Sequence, residues 1–281
     1  MRISLAFLIL TGLLWGGEVE RARDLYNHTD YNGALAILRK EPPGAQTLEL
    51  LGQSYFMLGD YKKATDTLER AAALEPGDSM ILTWLGRAWG RRAETSFAFS
   101  AMSYAAKSRE AFEKAVQLDP ANADAMDDLF DFYIEAPAIV GGGHDKARKL
   151  LSALAKCNPD AVYFAEARLA EDQKQFDLAE AHLRQAVLAV PGKVGQVLNL
   201  ARFLARRGRY EESDLVFQQA REMAPNSPRV LFARAETWIG TRRHPDEARA
   251  LLRKYLAAKD LTPDDPPRSE AIELLKKVDG A

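Results

Sequence analysis

The feature that most constrains this chain is an order of small and large apolar residues that returns about every 34 positions. In residues 45–78, AQTLELLGQSYFMLGDYKKATDTLERAAALEPGD, Leu48, Leu51, Gly52 and Tyr55 fall at spacings of three and four, and so do Tyr61, Ala64, Leu68 and Ala71. That periodicity predicts two amphipathic helices. Gly59-Asp60 supplies a turn followed by a helix N-cap, and Pro76 stops the second helix. The small residues carry further information, because two helices approach closely only where a side chain is short. A hairpin of this size cannot enclose its own apolar face, so such units must stack on one another.

The order Leu48, Leu51, Gly52, Tyr55, then Tyr61, Ala64, Leu68, Ala71 resembles the tetratricopeptide repeat, a helix-turn-helix unit. The resemblance covers most of residues 18–258 and implies an all-α fold. It would be a right-handed α-solenoid of about seven such repeats, near 18–44, 45–78, 79–122, 123–159, 160–193, 194–227 and 228–258. A polar linker and a capping helix would occupy 259–281, with Ala271, Ile272, Leu274 and Leu275 covering the open end. The first repeat is degenerate, its second helix cut short by Pro42-Pro43.

Two neighbouring repeats depart from the pattern at the same hairpin corner. After Trp84-Leu85-Gly86 and Trp89, about ten extra residues, ETSFAFSAMS, precede the return to frame at Ser108 and Phe112; the next repeat carries IEAPAIVGGGHD before Ala147. Insertions at equivalent corners emerge on one face, so these two are expected to touch. Phe97, Phe99 and Tyr104, with Met102, make an aromatic stripe at near-helical spacing. It is either a core that Pro137, Ile139 and Val140 cover, or a docking insertion for a partner. The third and fourth repeats also look similar to a group of exported bacterial tetratricopeptide proteins without an established biochemical role.

Residues 1–17, MRISLAFLILTGLLWGG, place Arg2 before an apolar run from Ile3 to Trp15. The run is shorter than the roughly 20 residues of a bilayer span, and it reads as a signal peptide that exports the chain to the periplasm or cell envelope. The alternative is an uncleaved amphipathic or buried N-terminal segment. Cys157 is the only cysteine, which excludes an internal disulfide, and its place in the repeat predicts a small buried apolar residue. Thirty-eight basic against 40 acidic residues give a net charge of -2, with none of the basic excess that nucleic acid demands.

No enzyme constellation is assembled. Gly141-Gly142-Gly143 lacks the Gly-Lys-Ser/Thr ending of a phosphate loop and is better read as a turn than as an anion site. His28, His144, His182 and His244 show no metal-ligand spacing. There is no Gly-x-Ser-x-Gly elbow. The expectation is a non-enzymatic scaffold, with no cofactor and no metal, that binds a protein partner; the oligomeric state is not encoded legibly.

In tetratricopeptide proteins the first helix of each repeat lines a concave groove. Carried over by repeat position, the resemblance implies a groove containing Arg87, Arg91, Asp127, Asp131, Phe164, Arg168, Arg202 and Phe232. Arg87 and Arg91 would face Asp127 and Asp131 of the next repeat. These charges are either cross-repeat ion pairs or a register that selects an extended peptide or a helix, with Phe56, Phe164 and Phe232 as anchors. The lysine-asparagine clamp by which some family members hold a C-terminal carboxylate is absent, since Glu49 and Gln53, then Thr83 and Arg87, stand in those places.

Overall fold

The computed structural model describes residues 17–280, so the expected leader lies outside the described residues apart from Gly17. Those residues form fifteen α-helices and no strand, packed as adjacent pairs. In chain order they are α1 (17–27), α2 (Tyr31–Leu38), α3 (Ala45–Met57), α4 (Tyr61–Leu74), α5 (Ser79–Glu94), α6 (Ala98–Leu118), α7 (Ala123–Glu135) and α8 (His144–Cys157). Then come α9 (Val162–Asp172), α10 (Phe176–Ala189), α11 (Val194–Arg206), α12 (Tyr210–Met223), α13 (Pro228–Gly240), α14 (Pro245–Ala257) and α15 (Arg268–Asp279). The chain divides into two compact units: residues up to Leu129 with Ala138–Gly141, and Phe130–Pro137 with Gly142 onward. No helix among the described residues is long and apolar enough to cross a membrane.

In the first unit, aspartates cap the starts of α2, α4 and α5. Asp30 and Asp60 accept from the backbone N–H groups of Gly33 and Lys63, and Asp78 accepts from Met80 and Ile81, each satisfying donors that a helix start leaves orphaned. The hairpins then close on small residues. Ala64, Ala71, Ala88 and Ala115 are fully buried. A Cβ on Gly86 would stand 2.5 Å from the Phe112 ring, so α5 meets α6 only because that position has no side chain.

The inserted residues of the third repeat do not form a loop. They lengthen its helices, α5 to 16 residues and α6 to 21, leaving a connection at residues 95–97. Tyr104 stacks on Trp89, with ring centroids 5.1 Å apart, and donors of Arg92 reach both Tyr104 Oη and Thr65 Oγ1. Phe97 and Phe99 instead stand 93% and 89% exposed, so the stripe is not a covered core. The second insertion does reach α6, through Arg109 Nη1 donating to the Val140 carbonyl at 3.0 Å, but that is about three turns beyond Phe99. Ile139, expected as cover, is 81% exposed.

In the second unit the last two of the three glycines spend their amides inside the turn. The N–H groups of Gly142 and Gly143 donate to the carbonyls of Pro137 and Tyr133, at 3.2 and 2.8 Å, which leaves neither for an anion. Farther along, Ala179, Ala186, Ala201 and Ala220 sit at the crossings, fully buried. The sharp turn before α12 uses Gly208 at φ 75°, and Lys174 adopts the same left-handed conformation before α10 at φ 61°. Cys157 is half-buried rather than buried. The stretch before α15 is anchored more firmly than a polar linker: Leu261 is buried, and Arg268 donates to the carbonyls of Leu256 and Ala258. Ala271 and Val278 of α15 are buried and Leu274 and Leu275 partly so, whereas Ile272 turns outward.

Candidate partner-binding groove

Within the second unit, the first helices of successive hairpins, α9, α11 and α13, line two clefts that share residues. One of about 370 Å³ has an apolar floor of Phe164, Ala167 and Leu183 under Arg168, Glu171, Asn199, Arg202 and Arg206. The other, of about 870 Å³, lies between α11 and α13 and is lined by Arg202, Arg206, Tyr210, Glu236, Thr237, Thr241 and Arg242 among others. Arg202 and Arg206, one helical turn apart on α11, border both.

Each of these arginines meets a carboxylate from a neighbouring helix. Arg206 holds Glu171 in bidentate fashion, Nε and Nη2 at 2.9 and 2.7 Å, and Arg202 Nη2 donates to Glu236 at 2.9 Å. Arg168 bonds Asp131 and also Glu135, the latter at 2.6 Å. Such forked pairs fix geometry as well as charge. Phe164 is partly buried beside the first cleft, placed for an anchor. Phe232 is not: it is 2% exposed, with its ring 5.2 Å from that of Tyr255 inside the α13–α14 hairpin.

In the first unit Arg87 departs from the expected pairing. Its partners are Asp128 at 2.5 Å and Asp124 at 3.3 Å, on the turn of α7 that includes Asp127. Arg91 bonds Glu94 on its own helix and stacks over Tyr61, 5.3 Å from the ring centre. Asp124, Asp128 and Glu171 are not among the groove residues that repeat position selects. An acid offset by one helical turn from each expected site is the signal that could have found them.

Burial pushes the Asp128 carboxyl up to about 6, against the pull of Arg87 and with the help of Asp124 and Asp127. Burial also opposes the charge on Arg87, but Asp128 and Asp124 outweigh it and hold the guanidinium above its ordinary value. Folded Asp128 thus keeps its proton to higher pH than the unfolded chain, where such a carboxyl titrates near 4. Its contribution to stability is complete only below the unfolded value near 4 and is lost as pH rises through 6, a span of about 3 kcal/mol. On acidification from pH 7 to 4 the parent should gain most of that relative to Asp128→Asn in urea titrations; a constant difference would refute it.

Comparison with known proteins agrees with this architecture. Residues 45–78 and 170–236 each match a model described as tetratricopeptide repeat. A tetratricopeptide repeat protein from Parabacteroides merdae superposes with TM-score 0.61 at 13% identity, over 94% of this chain and 98% of that one. TTC0263, a thermophilic protein with the same repeat from Thermus thermophilus, gives 0.55 at 18% identity, over 72% and 99%. A chain of the APC/C hetero-tetramer Cut9-Hcn1 gives 0.52 at 15%, over 92% of this chain and 48% of that one. At such identities the likeness shows the fold alone. No curated protein matches the sequence significantly. Two matched segments and this stack of helix pairs make the chain a tetratricopeptide-repeat-containing protein.

Proposed function

We propose that this protein is a non-enzymatic protein–protein interaction scaffold of the bacterial cell envelope that takes an extended peptide or a helix along α9, α11 and α13. The observation that carries the reading is the pair of clefts joined through Arg202 and Arg206, with the apolar floor at Phe164 and Leu183. A partner would lodge an apolar side chain on that floor and exchange charges with the flanking arginines. The non-enzymatic part rests on the sequence, which carries no phosphate loop, zinc motif or nucleophile elbow. Export rests on residues 1–17 and is tested by fusing them to a reporter active only outside the cytoplasm.

A second reading places docking at the corner between α5 and α6, and the exposure of Phe97 and Phe99 favours it. One experiment separates the two. The tagged chain is used to capture partners from the source organism's envelope extract beside Arg206→Glu and Phe97→Ser/Phe99→Ser variants, both checked for helicity. Groove binding predicts that Arg206→Glu weakens capture by about tenfold while the double serine variant retains it. The reverse pattern would move the site to the aromatic corner, and full retention by both would sink the two readings together.

A further inference from the structure

Helix α13 has a second working face. Glu236 and Gly240 look toward Arg202, whereas Arg234 and Trp238 lie about 200° around the helix, toward α12 and α14. A cleft of about 730 Å³ opens there, walled by Leu231, Trp238 and Leu251 and carrying Arg221, Arg234 and Lys254 against one lining carboxylate, Glu247.

The charges in this cleft are poorly balanced. The Arg234 side chain is 20% exposed, lies over the Trp238 ring at 4.5 Å, and has a buried Nε that donates no hydrogen bond among the described residues. Its nearest carboxylate, Asp214, stands 3.8 Å away and already accepts from Trp238 Nε1 and Arg243 Nη2, at 3.2 Å each. Glu247 faces His244 Nδ1 at 3.3 Å. Burial holds the Arg234 guanidinium below the usual arginine value; Asp214 opposes this and Arg221 adds to it. Asp214 at 3.8 Å leaves the charge of Arg234 only loosely matched, and an anion in the cleft would meet the exposed part of its guanidinium.

We propose that the cleft between α12, α13 and α14 binds an acidic–apolar peptide segment of a partner protein. Its carboxylate would sit among Arg221, Arg234 and Lys254, beside an apolar side chain on Trp238 and Leu251. The cations select the charge, and the tryptophan and leucine walls select a peptide over a bare ion. This surface is independent of the groove along α9 and α11 and survives if that reading fails.

The test uses the labelled full chain on an array of twelve-residue peptides with varied spacing of Glu and Leu, beside series in which Gln or Lys replaces Glu. The expected result is enrichment of Glu–Leu peptides over the Gln series, lost by about tenfold in Arg221→Glu/Lys254→Glu, two exposed positions whose change leaves the circular dichroism intact. Titrating the best peptide should also shift tryptophan emission. No enrichment, or equal binding by the double variant, overturns the proposal. Loss in Arg206→Glu instead assigns the peptide to the other face and overturns it too. Displacement by millimolar sodium sulfate as effective as by free peptide would reduce the cleft to an inorganic-anion site.

Discussion

Replacing Phe217 with alanine is expected to lower the stability of the second unit by about 3–5 kcal/mol. The ring is fully buried among Val197, Leu198, Ala201, Ala220, Val230 and Ala233, where α11, α12 and α13 converge. Three of those neighbours are alanines, so the backbones are already near their closest approach and cannot collapse onto the void. The penalty therefore includes both the lost transfer energy and a cavity. Because repeats contact mainly their neighbours, the loss should be local. Hydrogen exchange in α11–α13 should accelerate by about two to four orders of magnitude, as 3–5 kcal/mol implies, while α3 and α4 keep their protection. Unchanged exchange in α11–α13 would contradict the packing described above.

Gly142→Ala should cost about 3 kcal/mol. A Cβ at Gly142 would lie 1.8 Å from the Ala136 carbonyl oxygen, a backbone atom that cannot swing aside as a side-chain tip would. Relief requires opening the turn, which threatens the hydrogen bonds from Gly142 and Gly143 to Pro137 and Tyr133. Gly143→Ala is the informative contrast. A Cβ there meets nothing within 4 Å, and only the φ of 150° resists it, so its cost should be nearer 1 kcal/mol. Melting of the two variants side by side decides the matter; equal effects would mean that conformation, not contact, requires the triple glycine.

Much of the fold was legible because helix crossings demand small residues at fixed intervals, and Ala64, Ala71, Ala179, Ala186 and Ala220 meet that demand visibly. The aromatic stripe misled for a reason of angle. Phe99 and Tyr104 are five residues apart, about 140° around a helix, so a helix that buries one presents the other to water. The groove was legible only at the level of helices. A position within a repeat places a residue on α5 or α7, but the axial offset between two helices decides which acid meets Arg87, and no single repeat encodes that offset. Phe232 shows the same limit, since its ring turns toward Tyr255 of the following helix.

The carboxylates of Glu171 and Glu236 act as resident competitors. A ligand acid that reaches Arg206 or Arg202 competes for the guanidinium with a tethered one, whose effective concentration is high because the fold holds it within 3 Å. Net affinity from these contacts is therefore an exchange energy, smaller than a count of new ion pairs would give. Added salt weakens the displaced and the replacing pair alike, so binding there should vary less steeply with ionic strength than binding to a bare arginine row. If the groove binds as proposed, discrimination then falls to whatever fills the uncharged floor at Phe164 and Leu183.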